Sequence, residues 1–190
     1  KESFVTDDSW NACSSQVVFS DIYDGEIIDY TLPIEQFGKA EISSIKTNLV
    51  KQVGAGVTEN EVLMPIKKFI TPKGEKVVDF GQNMTGVVQI NFKGKFGDRI
   101  SYTCAEVLDS EGNFYNENYR SAKSAVSYVL DGKERQLKPK FTFQGFRYIR
   151  FDECPENFFE SELAAVAPNY DEVYIVACNT REKKNQYIFE

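Results

Sequence analysis

Alternation of apolar and polar residues is the strongest pattern in this chain, and it predicts β-strands. The central stretch is VVDFGQNMTGVVQINF at residues 77–92, where two apolar runs flank residues 81–86. In the second run Val88, Ile90 and Phe92 alternate with other positions, so one face is expected to pack in a core. Turn-forming residues between β-branched runs indicate two strands and a connection. We therefore expect the central hairpin or corner of a β-sandwich here.

Other stretches repeat this pattern. The aromatic block FTFQGFRYIRF at residues 141–151 surrounds Gly145, and residues 99–106 place Ile100, Tyr102 and Cys104 on one side. Strands are also expected at residues 63–70, 126–130 and 162–168. The chain therefore predicts an all-β fold, an antiparallel β-sandwich of the jelly-roll or fibronectin-like kind.

An Asp24-Gly25 pair between alternating residues predicts a type I′ hairpin near the start of the chain. In that register Asp21, Tyr23 and Glu26 share one face. An aromatic ring beside two carboxylates is a candidate contact for sugar hydroxyls or for calcium. The alternative is a solvated sheet face, opposite a face on which Ile22 and Ile27 are buried.

Charge and length exclude several classes of partner. The 190 residues carry a net charge of −7 without a long basic cluster, which argues against nucleic acid and anionic membranes. No apolar run approaches the roughly 20 residues that a membrane span needs. Because the chain opens with Lys1 and lacks a signal peptide, we expect a processed or excised polypeptide. Its compartment stays open between bacterial cytoplasm and secretion or the periplasm.

The residue types limit catalysis and metal binding. The sequence contains no histidine, so neither a Ser-His-Asp nor a Cys-His nucleophile can be built from it. No metal site is predicted, although calcium stays a candidate cofactor. Residues 109–113 resemble a calcium loop but lack its register, so a surface turn is expected. The four cysteines form no CxxC pair and are expected to be buried thiols rather than disulfides.

Four polar residues in the aromatic and valine-rich blocks invite a catalytic interpretation: Asp79, Glu106, Gln144 and Arg147. Structural roles are expected for all of them. Asp79 stands beside Gly81 and should accept backbone N–H groups in a turn. Glu106 and Arg147 could pair across strands, because neither charge can be buried alone.

Four ordered blocks, DFGQNMTG, AE, YRSA and FTFQGFRY, begin at residues 79, 105, 119 and 141. They resemble the β-sandwich domain ahead of the catalytic domain in bacterial α-L-rhamnosidases, glycoside hydrolase family 78. Upstream, SDIYDGE at residues 20–26 resembles the end of that family's preceding sandwich, which is related to rhamnose-binding modules. The resemblance covers most of residues 7–168.

The resemblance implies a division of the chain. Residues 1–35 would be the tail of the preceding module, 36–62 a connection, 63–168 the accessory sandwich and 169–190 a linker with a short helical lead-in. The parent reaction would be hydrolysis of terminal α-L-rhamnose with inversion, by carboxylates in a downstream (α/α)6 barrel. No catalytic residue is therefore expected in this chain.

The expected role is scaffolding of that missing C-terminal catalytic domain, with rhamnose-containing glycans as a further candidate partner. Three alternatives stay open. The first is an L-rhamnose-binding module that uses Asp21, Tyr23 and Glu26, or Tyr115 and Tyr119. The others are a small stand-alone enzyme and a protein–protein interaction domain.

Overall fold

The computed structural model describes residues 5–51, 58–156, 158 and 173–179 of the chain. These residues are arranged mainly in β-strands. The strands are β1 (Asn11–Cys13), β2 (Val17–Asp21), β3 (Gly25–Asp29), β4 (Gln36–Lys39), β5 (Thr58–Leu63), β6 (Lys67–Ile70), β7 (Lys76–Lys93), β8 (Phe96–Ala105), β9 (Val107–Leu108), β10 (Phe114–Tyr115), β11 (Ala125–Asp131), β12 (Glu134–Leu137), β13 (Gln144–Glu153) and β14 (Val173–Asn179). A short 3-10 helix covers Glu117–Tyr119.

Most strands belong to one hydrogen-bonded system in the order β2-β3-β11-β8-β13-β7-β14-β5, with β6 and β12 also paired to β7. The pairing is antiparallel except between β3 and β11, which run parallel. Two small ribbons, β1 with β4 and β9 with β10, complete the described strands. The sheet positions the β2–β3 turn, the start of β11 and the start of β13 at one end, which we call the turn end.

The central stretch is one long strand, β7, and the hairpin prediction is wrong. Both halves of β7 pair antiparallel with β13, so the chain does not reverse direction between them. Residues 80–83 stand opposite the single residue Arg147, which makes a bulge, and Gly81 adopts a φ of +85° within it. The corner alternative therefore describes this stretch better than the hairpin.

The bulge divides β7 between two groups of strands. Both halves pair with β13, but β6 pairs only with the first half, and β14 and β12 pair only with the second half. Val88, Ile90 and Phe92 of the second half lie in the same buried cluster as Ile100, Tyr102 and Cys104 of β8. The cluster also contains alternate residues of β11 and β13: Val126, Tyr128, Leu130, Ile149 and Phe151. Two layers enclosing one core confirm the all-β sandwich.

The strand pairing joins segments that were predicted to belong to different modules of the chain. Gly25 to Asp29 pair with residues 125–129 of β11, and Ile28 lies in the shared core. Residues 173–179 form β14, which lies between β7 and β5. The expected strand at 162–168 and the helical lead-in after Thr180 lie outside the described residues. The division into four segments stays a prediction.

Candidate functional site

The structure separates the three residues predicted to share a sugar or calcium site. Residues 22–24 form the turn, because Asp21 pairs with Gly25 and Ser20 with Glu26, so the predicted hairpin register is wrong. Tyr23 is 70% exposed, whereas Glu26 is fully buried. Asp21 Oδ1 accepts the N–H groups of Tyr23 and Asp24 within the turn. Asp21 therefore lies at the protein surface, whereas Glu26 lies in the interior.

The two isoleucines expected on the buried face of this ribbon are on its surface. Ile22 is 55% exposed and Ile27 is 40% exposed. Ile22 is exposed because it lies in the longer turn. Ile27 is exposed because Glu26 and Ile28, on either side of it in β3, are the residues that face the interior.

Glu26 fixes the segment that leads into β13. One carboxylate oxygen accepts the Lys140 N–H at 2.7 Å, and the other accepts the Phe141 N–H at 2.8 Å. The Ser20 hydroxyl donates a third bond at 3.2 Å. A buried carboxylate satisfied by backbone donors holds the β2–β3 turn against a segment more than a hundred residues away.

Gln144 makes a second connection at the turn end. Its side-chain oxygen accepts a bond from the Ser124 hydroxyl at 2.6 Å. Its side-chain nitrogen donates to Thr142 Oγ1 at 2.9 Å and to the Ile22 carbonyl at 3.4 Å. The side chains of Ser124, Thr142 and Gln144 are all buried. Through these bonds the polar atoms of Gln144 join the neighbouring loops.

The loop before β11, at residues 119–124, also lies at the turn end. Tyr119 donates its hydroxyl to the Gly145 carbonyl at 2.7 Å, and burial raises the pKa of this phenol. The backbone is strained beside it, because Arg120 has a φ of 58° and Ser124 a φ of 50°. The Ser124 N–H donates to the Tyr23 carbonyl at 3.0 Å. Three loops, at 22–24, 119–124 and 140–145, therefore converge at the turn end.

The predicted pair of Glu106 with Arg147 does not form. Arg147 instead binds Asp79 with two parallel hydrogen bonds, Nε to Oδ1 at 2.9 Å and Nη2 to Oδ2 at 3.0 Å. Glu106 accepts a bond from the Asn83 amide at 3.1 Å. The reason lies in the bulge of β7, which brings Asp79 opposite Arg147 and leaves Glu106 facing the bulge. Asp79 Oδ1 also accepts the Gly81 N–H at 2.7 Å, within the bulge rather than in the predicted turn.

Acidic residues also line an open groove between the start of β7 and the end of β13. Arg150 lies between two of them, donating to Asp152 at 2.7 Å and to Glu75 at 3.4 Å. Burial opposes ionisation of Glu75, but bonds from Phe114 N–H, Thr71 and Arg150 outweigh it and lower the pKa of Glu75. A carboxyl group held ionised in this way is unsuited to act as a general acid.

Residues 109–113 form the expected turn between β9 and β10. Asp109 Oδ1 accepts the N–H groups of Glu111 and Asn113. No group of three or more Cys, Asp or Glu side chains with metal-binding geometry occurs among the residues that the structure describes. Within the same residues, no helix has the length and apolar character to cross a membrane.

Comparison with known families assigns the chain. Residues 70–168, just over half of the 190, match the family described as "Bacterial alpha-L-rhamnosidase concanavalin-like domain". The chain belongs to this family. An α-L-rhamnosidase of Formosa agariphila is 33% identical over 163 residues, and one of Streptomyces avermitilis is 31% identical over 167 residues. The matched region spans 78% and 81% of this chain but only 18% and 16% of those relatives.

Solved α-L-rhamnosidases contain the same fold. The native enzyme of Aspergillus terreus superposes with a TM-score of 0.76 at 27% identity, covering 94% of this chain and 21% of that one. The Streptomyces avermitilis enzyme complexed with L-rhamnose gives 0.72 at 28% identity, covering 92% and 17%. This rhamnosidase domain therefore corresponds to about a fifth of each longer protein.

Sequence reasoning missed the residues that organise the turn end. The hairpin register predicts an accessible position for Glu26, and no local pattern indicates that β3 lies between β2 and β11. Ser124 and Thr142 are ordinary polar residues in segments interpreted as connections. Their positions follow from the parallel pairing of β3 with β11, a contact between residues far apart in sequence.

Proposed function

We propose that this chain is a non-catalytic β-sandwich domain of an α-L-rhamnosidase-like glycoside hydrolase and that it scaffolds the catalytic domain. The observation that carries the proposal is the match of the whole sandwich to about a fifth of several longer α-L-rhamnosidases. The remaining four-fifths of those proteins have room for a separate catalytic domain. The parent reaction would be hydrolysis of terminal α-L-rhamnose.

The state of the acidic residues supports this proposal. Inverting glycoside hydrolysis needs one carboxylic acid with a raised pKa and one free carboxylate. Asp79 and Glu75 both have lowered pKa values, because hydrogen bonds outweigh the effect of burial on them. Arg147 and the Gly81 N–H bind Asp79, and the Phe114 N–H, Thr71 and Arg150 bind Glu75. Glu26 has both oxygens occupied by backbone donors. These carboxylates stabilise the sandwich.

A replacement experiment tests the scaffolding role. The matched region of the Streptomyces avermitilis enzyme would be deleted in one variant and replaced by this chain in another. We expect the deletion variant to lose folding and activity and the replacement variant to regain both. A replacement variant no better than the deletion would contradict the proposal.

The L-rhamnose-binding alternative is tested on this chain alone. Calorimetric titration with L-rhamnose, with and without calcium, should show no saturable heat, because the Asp21 and Glu26 carboxylates are committed to their own hydrogen bonds. Saturable binding that Tyr23→Ala abolishes would make the chain a carbohydrate-binding module.

A further inference from the structure

Large apolar side chains are exposed where the three loops of the turn end meet. Tyr23 is 70% exposed, Ile22 55%, Phe141 71% and Phe143 37%. With the exposed Arg120 they form what we call the turn-end face. Exposed apolar residues that cluster, rather than occurring singly, mark an interaction surface.

The loops that carry this face are held in place from below. Glu26 binds the Lys140 and Phe141 amides, and Gln144 binds the Ile22 carbonyl. Lys123 reaches back to Asp24, with its Nζ 3.3 Å from Oδ2. A surface fixed before association loses little conformational freedom when a partner binds. These polar contacts therefore fix the conformation of the turn-end face before a partner binds.

Arg120 adds a charged anchor to the face. Its backbone adopts φ 58° and ψ −110°, a conformation that is costly for a residue other than glycine. Within the described part of the chain its guanidinium has no ion-pair partner. A strained backbone that presents an unpaired arginine fits a partner with an acidic group, since Arg is enriched in the centres of interfaces.

The path of the chain points to the occupant. Gly86 of β7 pairs with Gln144 of β13 on one side and with Ala177 of β14 on the other. Neighbouring strands lie about 5 Å apart, so Ala177 is about 10 Å from Gln144. The chain therefore leaves β14 at the turn end, beside the exposed aromatic residues.

We propose that the turn-end face is the docking surface for the domain that follows this sandwich in the longer α-L-rhamnosidases. This inference rests on the proposed function and names the surface through which it operates. The partner should offer an apolar depression for Phe141 and Tyr23 with an acidic side chain opposite Arg120.

The test uses this chain together with the separately expressed C-terminal remainder of the Streptomyces avermitilis enzyme. Hydrogen exchange of the chain would be compared with and without that remainder. We expect added protection at residues 22–24, 119–124 and 140–144 and none at residues 95–98. Phe141→Ser and Arg120→Ser should each weaken the complex at least about tenfold, a clear change in dissociation constant.

Phe96→Ser is the matched control. Phe96 is 73% exposed, like Phe141, but it pairs with Asp131 at the opposite end of the sheet. Its substitution should change affinity less than about twofold. Where the remainder does not fold alone, the same three substitutions are compared by melting temperature in the replacement variant described above, and only Phe141→Ser and Arg120→Ser should lower it beyond their effect on this chain.

The outcomes separate the two proposals. Association with protection elsewhere, for example along β2, or equal sensitivity to Phe96→Ser, would overturn the turn-end face and leave the scaffolding role standing. No association, together with a replacement variant that is no better than the deletion, would overturn both.

Discussion

Arg147 donates two hydrogen bonds to Asp79 across the bulge of β7, with N–O distances of 2.9 and 3.0 Å. Asp79→Asn should lower the free energy of unfolding by about 1–3 kcal/mol, because it leaves a partly buried guanidinium without its counter-charge. Urea unfolding followed by circular dichroism measures the loss. Lys133→Gln is the control, since that lysine is 76% exposed beside Asp131 and should change stability by less than about 0.5 kcal/mol. Equal effects of the two substitutions would contradict a stabilising role for the Asp79 pair.

The same carboxylate should give the fold a dependence on acid. Burial would raise the pKa of Asp79, but Arg147 and the Gly81 N–H outweigh it, so the folded pKa lies below the ordinary 3.8. The unfolded chain therefore binds the proton first as pH falls. The stability difference between the wild type and Asp79→Asn should be constant above about pH 5 and shrink below about pH 4. A difference that disappears near neutral pH would contradict this assignment.

Gly25 lies where no side chain fits. A Cβ at this position would stand 1.8 Å from the Ala125 carbonyl oxygen, and the residue has a φ of +104°. Gly25→Ala should destabilise the fold by at least about 3 kcal/mol, because β3 and β11 would have to separate. Gly38 is the matched control, with a φ of +111° and no atom within 4 Å of its added Cβ. Gly38→Ala should cost only about 1–2 kcal/mol, and equal losses would show that β3 does not pack against β11.

Glu26 should control the order of the segment before β13. In Glu26→Gln one side-chain oxygen becomes an NH2 group that faces a backbone donor, so either the Lys140 or the Phe141 amide loses its acceptor. We expect a loss of about 2–4 kcal/mol and faster hydrogen exchange at residues 140 and 141. Glu134→Gln, on an exposed position of β12, is the control. Unchanged exchange at residues 140 and 141 would contradict the role of Glu26.

The cysteines should differ in reactivity. All four were expected to be buried, but Cys13 is exposed, Cys104 is buried and Cys154 is half-buried, while the Cys178 side chain lies outside the described residues. Burial raises the pKa of the Cys104 thiol, which suppresses the reactive thiolate. Alkylation of the native chain at about pH 8, read by peptide mass spectrometry, should label Cys13 well before Cys104. Equal rates would contradict the burial of Cys104.

Local sequence patterns predicted the strands of the core well. Ile100, Tyr102 and Cys104 alternate in β8 and Val126, Tyr128 and Leu130 alternate in β11, and both sets are buried as expected. Such alternation depends only on neighbouring residues and on the period of a strand. The aromatic and valine-rich blocks likewise predicted that β7 and β13 belong to one sheet system.

The remaining features could not be predicted, because they depend on contacts between residues far apart in the sequence. Arg147 pairs with Asp79 rather than with Glu106 because of the bulge, in which four residues of β7 stand opposite one residue of β13. No local sequence pattern specifies the size of this bulge. The burial of Glu26 depends on the parallel contact of β3 with β11. In the predicted ribbon Ile27 is buried and Glu26 lies on the accessible face, whereas the structure buries Glu26 and exposes Ile27.

In the proposed scaffolding role, this rhamnosidase-family sandwich supports catalysis without performing it. Purified chain would be incubated with an aryl α-L-rhamnoside beside the Streptomyces avermitilis enzyme as a positive control. We expect no release of the aryl alcohol above the blank. Release that copurifies with the chain, and that substitution of one of its own acidic residues abolishes, would contradict it.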